Sequence, residues 1–167
     1  MMDTVDIPQI DANRLRIAFP NVLGSCRCFD VGFGWMMPVG QMCVALEKLP
    51  AGSVSVLEMT QKLGGLRVTL DEIALSEDHR SVVRHAKILA EERSRCICEA
   101  CGQMGDIRRP PEGLPEAWVY CLCHRHLPRE RRRWPIDRRK RRYKIGEVHW
   151  VYDDLLGRLL VDEKGNA

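Results

Sequence analysis

The sequence has no long apolar run. The best candidate, WMMPVGQMCVAL at residues 35–46, is shorter than the roughly 20 residues that a membrane-spanning helix needs, and Pro38 and Gly40 interrupt it. The N-terminal stretch MMDTVDIPQIDANR also lacks the basic end and apolar core of a secretion signal. These absences argue against membrane insertion and secretion, and we expect a cytoplasmic protein.

The sequence also lacks the short motifs that mark several enzyme classes. It contains no glycine-rich phosphate loop with a lysine, no G-x-S-x-G elbow and no paired carboxylates in a recognisable site. One enzyme hypothesis is a degenerate HNH-like nuclease, because CEACG and CHRHLP resemble its zinc-supported part, with His124 as the residue to test. Its further catalytic groups would have to be His149 and Asn166, in the terminal hairpin region. We therefore predict no enzymatic activity and no small-molecule substrate.

Cysteine, in contrast, is abundant, with eight residues in 167. A C-x2-C pair, a 21-residue spacer and a C-x2-H pair are formed by Cys98, Cys101, Cys123 and His126. Two sulfurs three positions apart can face one metal when the turn between them is tight, and Gly102 favours such a turn. Four protein ligands complete a tetrahedron and leave no position for water. We predict one structural zinc ion.

The sequence leaves the choice of ligands partly open. Cys96, Cys121 and His124 each lie two residues from a chosen ligand and are able to replace it. C-x-C spacing, however, strains the paired geometry that C-x2-C provides. The conventional set is therefore preferred.

The other cysteines and two of the tryptophans are interpreted as packing residues. Cys26, Cys28 and Cys43 are expected in the core, because free cysteine is among the most buried residue types, with an incomplete second metal site as the alternative. Trp35 is expected to anchor the core and Trp118 to pack beside the zinc loop.

Hydrophobic periodicity predicts an α+β fold. Residues 1–34 are punctuated by proline and glycine and should form strands and turns, with RLRIAF as a short strand. Residues 35–49 have helical spacing, and SVSVLEM and LRVTL alternate as two strands joined at LGG. Ser76 is expected to cap a helix. The predicted apolar stripe of that helix is Val82, Ala86, Leu89 and Ala90.

We divide the chain into an α+β body (1–95), a zinc-binding module (96–128), a basic arm (129–144) and a C-terminal β-hairpin (145–167). The module should consist of a knuckle, a hairpin with AWVY as a strand, and a second knuckle, as in a zinc ribbon or a treble clef. RERRRW can form one short helix before Pro135. Because two strands alone are marginal in water, the C-terminal hairpin must pack on the body or on a partner.

The basic charge is concentrated in one segment. Between Arg129 and Lys144, ten Lys or Arg residues stand against two acidic residues, although the net charge of the chain is only +3. The segment is a solvated linker that its charges keep extended, a segment that folds back onto the acidic body, or a surface that binds phosphates or other acidic groups. Trp134 within it is either a stacking residue or a structural anchor. The candidate contact residues are Arg131, Arg132, Arg133, Trp134, Arg138, Arg139, Lys140, Arg141 and Arg142.

The motifs follow a characteristic order. FGW, with Gly34 and Trp35, opens a helix, and KLGGLRV, a second helix, CEACG and LCHRH follow. This order resembles a loose group of small bacterial and phage proteins with GDGW-like, KFGGLRF-like, C-x2-C-G and LC-x2-H motifs, over roughly residues 26–127. The chain differs at Phe33, where an acid is usual, and at Leu63 and Val68, where aromatics are usual. The resemblance implies a zinc-bearing α+β fold and no established activity.

These observations predict a non-enzymatic, zinc-stabilised binding protein. A protein partner is preferred, because an acidic body with a cationic arm and the resemblance to phage proteins suit a phage-type inhibitor, an immunity protein or an adaptor. The alternative is a nucleic-acid-binding protein that uses the basic arm. No base-reading helix is evident, so little sequence specificity is expected.

Overall fold

The computed structural model describes residues 11–112 and 118–163. These residues form a mixed α+β fold, as predicted, with three small sheets. The helices are α1 (Ala12–Ala18), α2 (Pro20–Leu23), α3 (Met36–Leu46) and α4 (Glu77–Ser94), with 3-10 turns at Phe33–Trp35 and Arg129–Arg133. The strands are β1 (Cys28–Asp30), β2 (Val54–Lys62), β3 (Gly65–Glu72), β4 (Asp106–Ile107), β5 (Cys121–Leu122), β6 (Arg142–Ile145), β7 (Val148–Asp153) and β8 (Arg158–Val161). Three parts of the predicted segments lie outside the described residues. They are residues 1–10 of the body, 113–117 of the loop between the ligand pairs and 164–167 of the C-terminal hairpin.

Residues 12–18 form a helix, so the prediction of a short strand at RLRIAF was wrong. The Asp11 side chain accepts hydrogen bonds from the amides of Asn13 (3.0 Å) and Arg14 (3.3 Å), which caps the first turn. Within α1 only Leu15 is buried, so the apolar alternation in the sequence does not correspond to burial. A local cap outweighs strand propensity here.

The main core lies between the β2–β3 hairpin and helices α3 and α4. The first sheet has the order β1-β2-β3, with β1 parallel to β2 and β3 antiparallel to it. The predicted strands and their connection at LGG are confirmed, since β2 ends at Lys62 and β3 starts at Gly65. The helical spacing of residues 35–49 places five apolar residues on one face, and α3 buries the first four of them. The fifth, Leu49, lies beyond the end of the helix and is half-buried. The four buried residues are Val39, Met42, Cys43 and Leu46.

All eight cysteines lie in the described ranges, and none forms a disulfide. Of the three that were expected in the core, Cys26 and Cys43 are buried, whereas Cys28 is exposed. Burial raises the pKa of Cys43 to about 12, which makes this thiol unreactive at neutral pH. Core packing is thus confirmed for two of the three.

Helix α4 begins as predicted, because the Ser76 hydroxyl accepts a hydrogen bond from the His79 amide. Its apolar stripe is shifted by one residue at its first position. Val83 is fully buried, whereas Val82, which the sequence placed in the stripe, is 42% exposed. Neither α4, the longest helix in the described ranges, nor any shorter one there has the length and apolar character to span a bilayer.

The C-terminal sheet has three strands in the order β6-β7-β8, one more than predicted. The additional strand β6 comes from the end of the segment assigned to the basic arm. Ile145, Tyr152 and Leu159 form a buried cluster against Ile88 and Leu89 of α4. The C-terminal hairpin therefore packs on the body.

Candidate metal centre

Four side chains from two turns meet at one point. Cys98 and Cys101 come from the turn after α4, and Cys123 and His126 come from the turn after β5. Their ligand atoms all lie within 4.8 Å of one another. Cys98 is buried, the other two cysteines are half-buried and His126 is exposed. The structure thus brings together the four predicted ligands, and together they can hold a metal ion.

The first turn points two sulfurs in one direction. The Cys98 amide donates to the carbonyl of Gln103 (2.7 Å), and the Gly102 amide donates to the carbonyl of Cys98 (2.9 Å). Gly102 has a φ of +77°, a left-handed conformation that glycine adopts without the steric penalty of other residues. The tight turn predicted from CEACG is confirmed.

A backbone hydrogen bond connects the first turn to the strand that leads into the second turn. The His126 amide donates to the carbonyl of Cys123 (3.1 Å), which closes the CHRH loop. The Glu99 amide in the first turn donates to the carbonyl of Cys121 (2.9 Å), at the start of the strand that leads into the second turn. That strand is Cys121–Leu122, so the prediction of a strand at AWVY placed it too early.

Three distances between the ligand atoms are close to those of a tetrahedral site. With metal–sulfur bonds of about 2.3 Å and metal–nitrogen bonds of about 2.0–2.1 Å, as zinc has, the sulfur–sulfur edge is about 3.8 Å and the sulfur–nitrogen edge about 3.6 Å. Cys101 Sγ and Cys123 Sγ are 3.8 Å apart, and Cys98 Sγ and His126 Nδ1 are 3.6 Å apart. Cys123 Sγ lies slightly nearer to the same nitrogen, at 3.3 Å. The ring therefore offers Nδ1 to an ion.

Two of the thiols have shifted pKa values in opposite directions. Burial raises the pKa of Cys98 to about 11, although the amides of Cys123, Cys101 and Ala100 act against it. For Cys123, burial also acts to raise the pKa, but hydrogen bonds from the backbone and ring of His126 outweigh it and lower the pKa to about 6. A bound cation deprotonates its cysteine ligands outright, so the buried Cys98 thiolate depends on the metal charge.

The alternative ligands have other partners. Cys96 Sγ lies 3.7 Å from Asp154 Oδ1, and Cys121 Sγ donates to the carbonyl of Arg95 (3.1 Å). His124 is exposed, and its carbonyl accepts a long hydrogen bond (3.5 Å) from Arg132. The cluster found within the described residues contains none of these three.

The FGW motif packs directly on the first metal-binding turn. The Gly34 amide donates to the carbonyl of Glu99 (2.7 Å), and the Trp35 ring nitrogen donates to the carbonyl of Ile97 (3.0 Å). A Cβ on Gly34 would lie only 2.0 Å from the carbonyl oxygen of Cys98. The glycine is therefore required by the close approach of two backbones. Trp35, fully buried, is confirmed as a core anchor.

The β2–β3 hairpin packs on the metal-binding module and on the end of α4. Gly64, with a φ of +79°, leaves room for Ile107 Cγ1, which a Cβ would approach to 3.1 Å. The Leu66 amide donates to the hydroxyl of Ser94 (2.7 Å), and the Gln61 side chain donates to the carbonyl of Val119. The sequence motifs on which the family resemblance rests thus form one connected unit around the metal site.

Glu99, between the first two ligands, was not singled out in the sequence. It is buried, and burial raises its pKa to about 7, while the Gly32 amide acts to lower it and Asp30 to raise it. Its position inside CEACG gives no sequence signal of burial, because a charged residue in a turn is normally solvated.

Two of the candidate contact residues form an internal anchor. Arg131 is buried, and its guanidinium donates to the carbonyl of Trp118 (2.9 Å) and lies 5.2 Å from the ring centroid of Trp134. These contacts give the buried guanidinium a hydrogen-bond acceptor and an aromatic ring inside the fold. Trp118 contacts Tyr120, which packs against the cluster that contains Cys98. Trp118 is nevertheless 62% exposed, so it packs only in part beside the zinc loop.

The other candidate contact residues divide into paired and unpaired cations. Arg139 lies 2.8 Å from Asp137, Arg142 lies 2.7 Å from Asp162, and Arg141 lies 3.9 Å from Glu92. Four more are exposed, and the described residues supply no ion pair for them. These are Arg132, Arg133, Arg138 and Lys140. They are the cations that remain available to a partner.

Asp137 ties the basic segment to the rest of the fold. Its side chain is 1% exposed and lies 2.7 Å from Arg109 and 3.5 Å from Arg95 at the end of α4, in addition to Arg139. The Asp137 amide donates to the carbonyl of Ile107 (2.8 Å). The Arg139 hydrogen bond is the largest cause of a pKa well below the usual value, burial opposes it, and Arg109 lowers the pKa further.

Asp137→Asn is expected to destabilise the protein at neutral pH by about 1–3 kcal/mol, because a buried charged acceptor is lost. A pKa that is depressed in the folded state stabilises fully above the unfolded value of about 3.9, and this contribution fades as the pH falls below it. Urea unfolding at neutral pH and below pH 4 should therefore show a difference between variant and parent that shrinks in acid. Asp71→Asn, at an exposed position, is the matched control. A difference that stays constant with pH contradicts this role.

Comparisons of the chain with protein-family models, curated protein sequences and solved structures gave no match. The structure describes one of the two further groups of the nuclease hypothesis. His149 lies in β7, opposite Lys144, and Asn166 lies outside the described residues.

Proposed function

We propose that the chain is a non-enzymatic binding protein held together by one structural zinc ion. The observation that carries this proposal is the near-tetrahedral set of three sulfurs and one nitrogen. Thiolate and imidazole ligands favour zinc among the common divalent metals, and the tetrahedral distances match it. Because all four positions are taken by protein, the ion has no open position at which to activate water.

The finer fold proposal is a zinc-ribbon-like or treble-clef-like module. Two ligand-bearing turns joined through the short β4–β5 pair support it. Membership in the loose group of small bacterial and phage proteins is likewise proposed. It is supported by the contacts of Gly34 and Gly64 with the module, which give a shared structural reason for the FGW, GG and C-x2-C motifs.

The proposed compartment is the cytoplasm. The proposed partner is a protein, to which this chain binds as an inhibitor, an immunity protein or an adaptor. Eight free cysteines suit a reducing compartment. Exposed apolar side chains and cations without an ion pair suit a protein interface, where aromatic and arginine residues contribute most of the binding energy. The side chains that motivate this are Leu63, Trp118, Leu155 and Leu156.

Native mass spectrometry of the protein purified from its source cell tests this proposal. We expect one zinc ion per chain together with a stoichiometric partner protein, and we expect a chelator to release both, because metal loss unfolds the module. A parallel sample without chelator is the control. A chain that carries zinc and recovers no partner protein contradicts the protein-partner proposal.

The second candidate is a nucleic-acid-binding protein, and the four exposed cations without an ion pair favour it. Copurifying material that is sensitive to nuclease would move the assignment to this candidate. Its affinity should fall steeply with salt, because phosphate contacts release counterions.

A further inference from the structure

A surface cleft of about 600 Å³ lies between the β2–β3 turn and the segment before β5. Leu63, Pro110, Trp118 and Val119 form its apolar lining. Trp118 is 62% exposed and Leu63 is 52% exposed, although both are large apolar residues. The indole contacts Tyr120 at a tilted angle, with the ring centroids 6.5 Å apart. One face of a large aromatic ring is thus left for a ligand.

The cleft also carries positive charge. Lys62 and Arg109 line it, and Lys62 is exposed without an ion pair to any described residue. Arg109 is already paired with Asp137 at 2.7 Å, so Lys62 is the lining cation that a ligand can use. A ligand that fits must therefore combine a flat apolar group with negative charge.

The cleft is continuous with the basic segment. The Arg109 amide donates to the carbonyl of Pro135 (3.1 Å). The Arg108 guanidinium donates to the carbonyls of Arg132 (3.0 Å) and Trp134 (2.8 Å). These bonds hold the backbone of residues 132–135 against Arg108 and Arg109, and Arg109 lines the cleft. The segment that carries the unpaired cations Arg132 and Arg133 therefore adjoins the cleft.

We propose that this cleft and the adjoining cations bind a single-stranded nucleic acid, with a base stacked on Trp118 and the backbone phosphates on Lys62 and the unpaired arginines. An aromatic platform beside a cationic path is how single strands are bound without sequence preference. A duplex hides its base faces in the stack, so it cannot cover the indole. An acidic peptide supplies charge but no base to stack. The proposal rests on the chain being a binding protein and deepens its second candidate.

A fluorescein-labelled oligothymidylate of about 15 nucleotides, titrated into the zinc-loaded full-length chain, tests the proposal by fluorescence anisotropy. Trp118→Ala is expected to weaken binding about 5- to 150-fold, which corresponds to the loss of one base stack. Trp118→Phe should restore most of the affinity, because a phenyl ring also stacks. Leu155→Ala alters an apolar side chain on the β7–β8 turn that is even more exposed (98%). It is the control and should bind as the parent does.

The electrostatic part has its own readout. The logarithm of the affinity should fall linearly with the logarithm of the salt concentration, and Lys62→Ala should reduce that slope by about 0.7, the value for one phosphate contact on a single strand. Absence of oligonucleotide binding at low salt, or equal affinity of Trp118→Ala and the parent, overturns the proposal. Displacement by polyglutamate of equal charge at equal concentration also overturns it, since charge alone would then be recognised. If one of these outcomes is found while native mass spectrometry still detects a partner protein, the nucleic-acid inference fails and the proposed function stands.

Discussion

Cys98→Ser is expected to abolish cooperative unfolding of the metal-binding module. Structural zinc contributes about 10–16 kcal/mol in small zinc-dependent domains, which is comparable to the whole stability of about 5–15 kcal/mol of a typical protein. Cys98 is fully buried, and serine is a much poorer zinc ligand than a thiolate, so the variant loses both the metal and the sulfur that packs there. The loss of the module should extend to the body, because Trp35 is bonded to the adjacent Ile97. Thermal unfolding and the zinc content of the purified variant measure this effect.

Cys96→Ser is the matched control for that experiment. Cys96 lies two residues away, is only half-buried, and has its sulfur near Asp154. This variant should keep one zinc ion per chain and lose no more than about 1.5 kcal/mol. Metal loss in Cys96→Ser together with metal retention in Cys98→Ser would show that the ligand set is shifted by two residues.

Gly34→Ala is expected to destabilise the protein by about 3 kcal/mol or more, although it adds a single methyl group. The new Cβ would meet the Cys98 oxygen at 2.0 Å, the Gly102 nitrogen at 2.6 Å and the Glu99 oxygen at 2.7 Å. All three atoms belong to the backbone of the metal-binding turn, so the clash cannot be relieved by rotating a side chain. Overpacking of this kind is among the few mechanisms that give large effects. Chemical unfolding of the zinc-loaded protein measures the loss.

Gly40→Ala provides the opposite result with the same chemical change. Gly40 lies inside α3, and a Cβ there would meet nothing within 4 Å. Because alanine has the higher helix propensity, this variant should be more stable than the parent by about 0.5–1 kcal/mol. Similar unfolding free energies for the two variants would contradict the proposed role of Gly34.

The features that could be predicted from the sequence are those with a local cause. The ligand spacing in CEACG and CHRH fixes the two turns, since each is closed by hydrogen bonds within five or six residues. The Ser76 cap and the alternation of SVSVLEM are also local signals, and both were predicted correctly. Two neighbouring valines in α4 fit the helical spacing, so the sequence alone did not show which of them faces the core. In the structure Val83 is buried and Val82 is exposed.

The features that the sequence did not predict depend on contacts between distant residues. Gly34 and Cys98 are 64 positions apart in the chain, so the reason for the glycine in FGW becomes visible only in the fold. The basic run likewise gave no indication that Arg131 is buried beside the rings of Tyr120 and Trp134. Nor did it show that Asp137 forms ion pairs with three arginines. Charge patterning counts cations but does not show which of them are already paired.

X-ray absorption at the zinc edge of the purified protein distinguishes a closed structural site from an open one. We predict one zinc ion per chain with three sulfur ligands at about 2.3 Å, one nitrogen ligand at about 2.0 Å and no oxygen ligand. A spectrum with an oxygen ligand, or with fewer than three sulfurs, would contradict a closed structural site and reopen the possibility of metal-assisted catalysis.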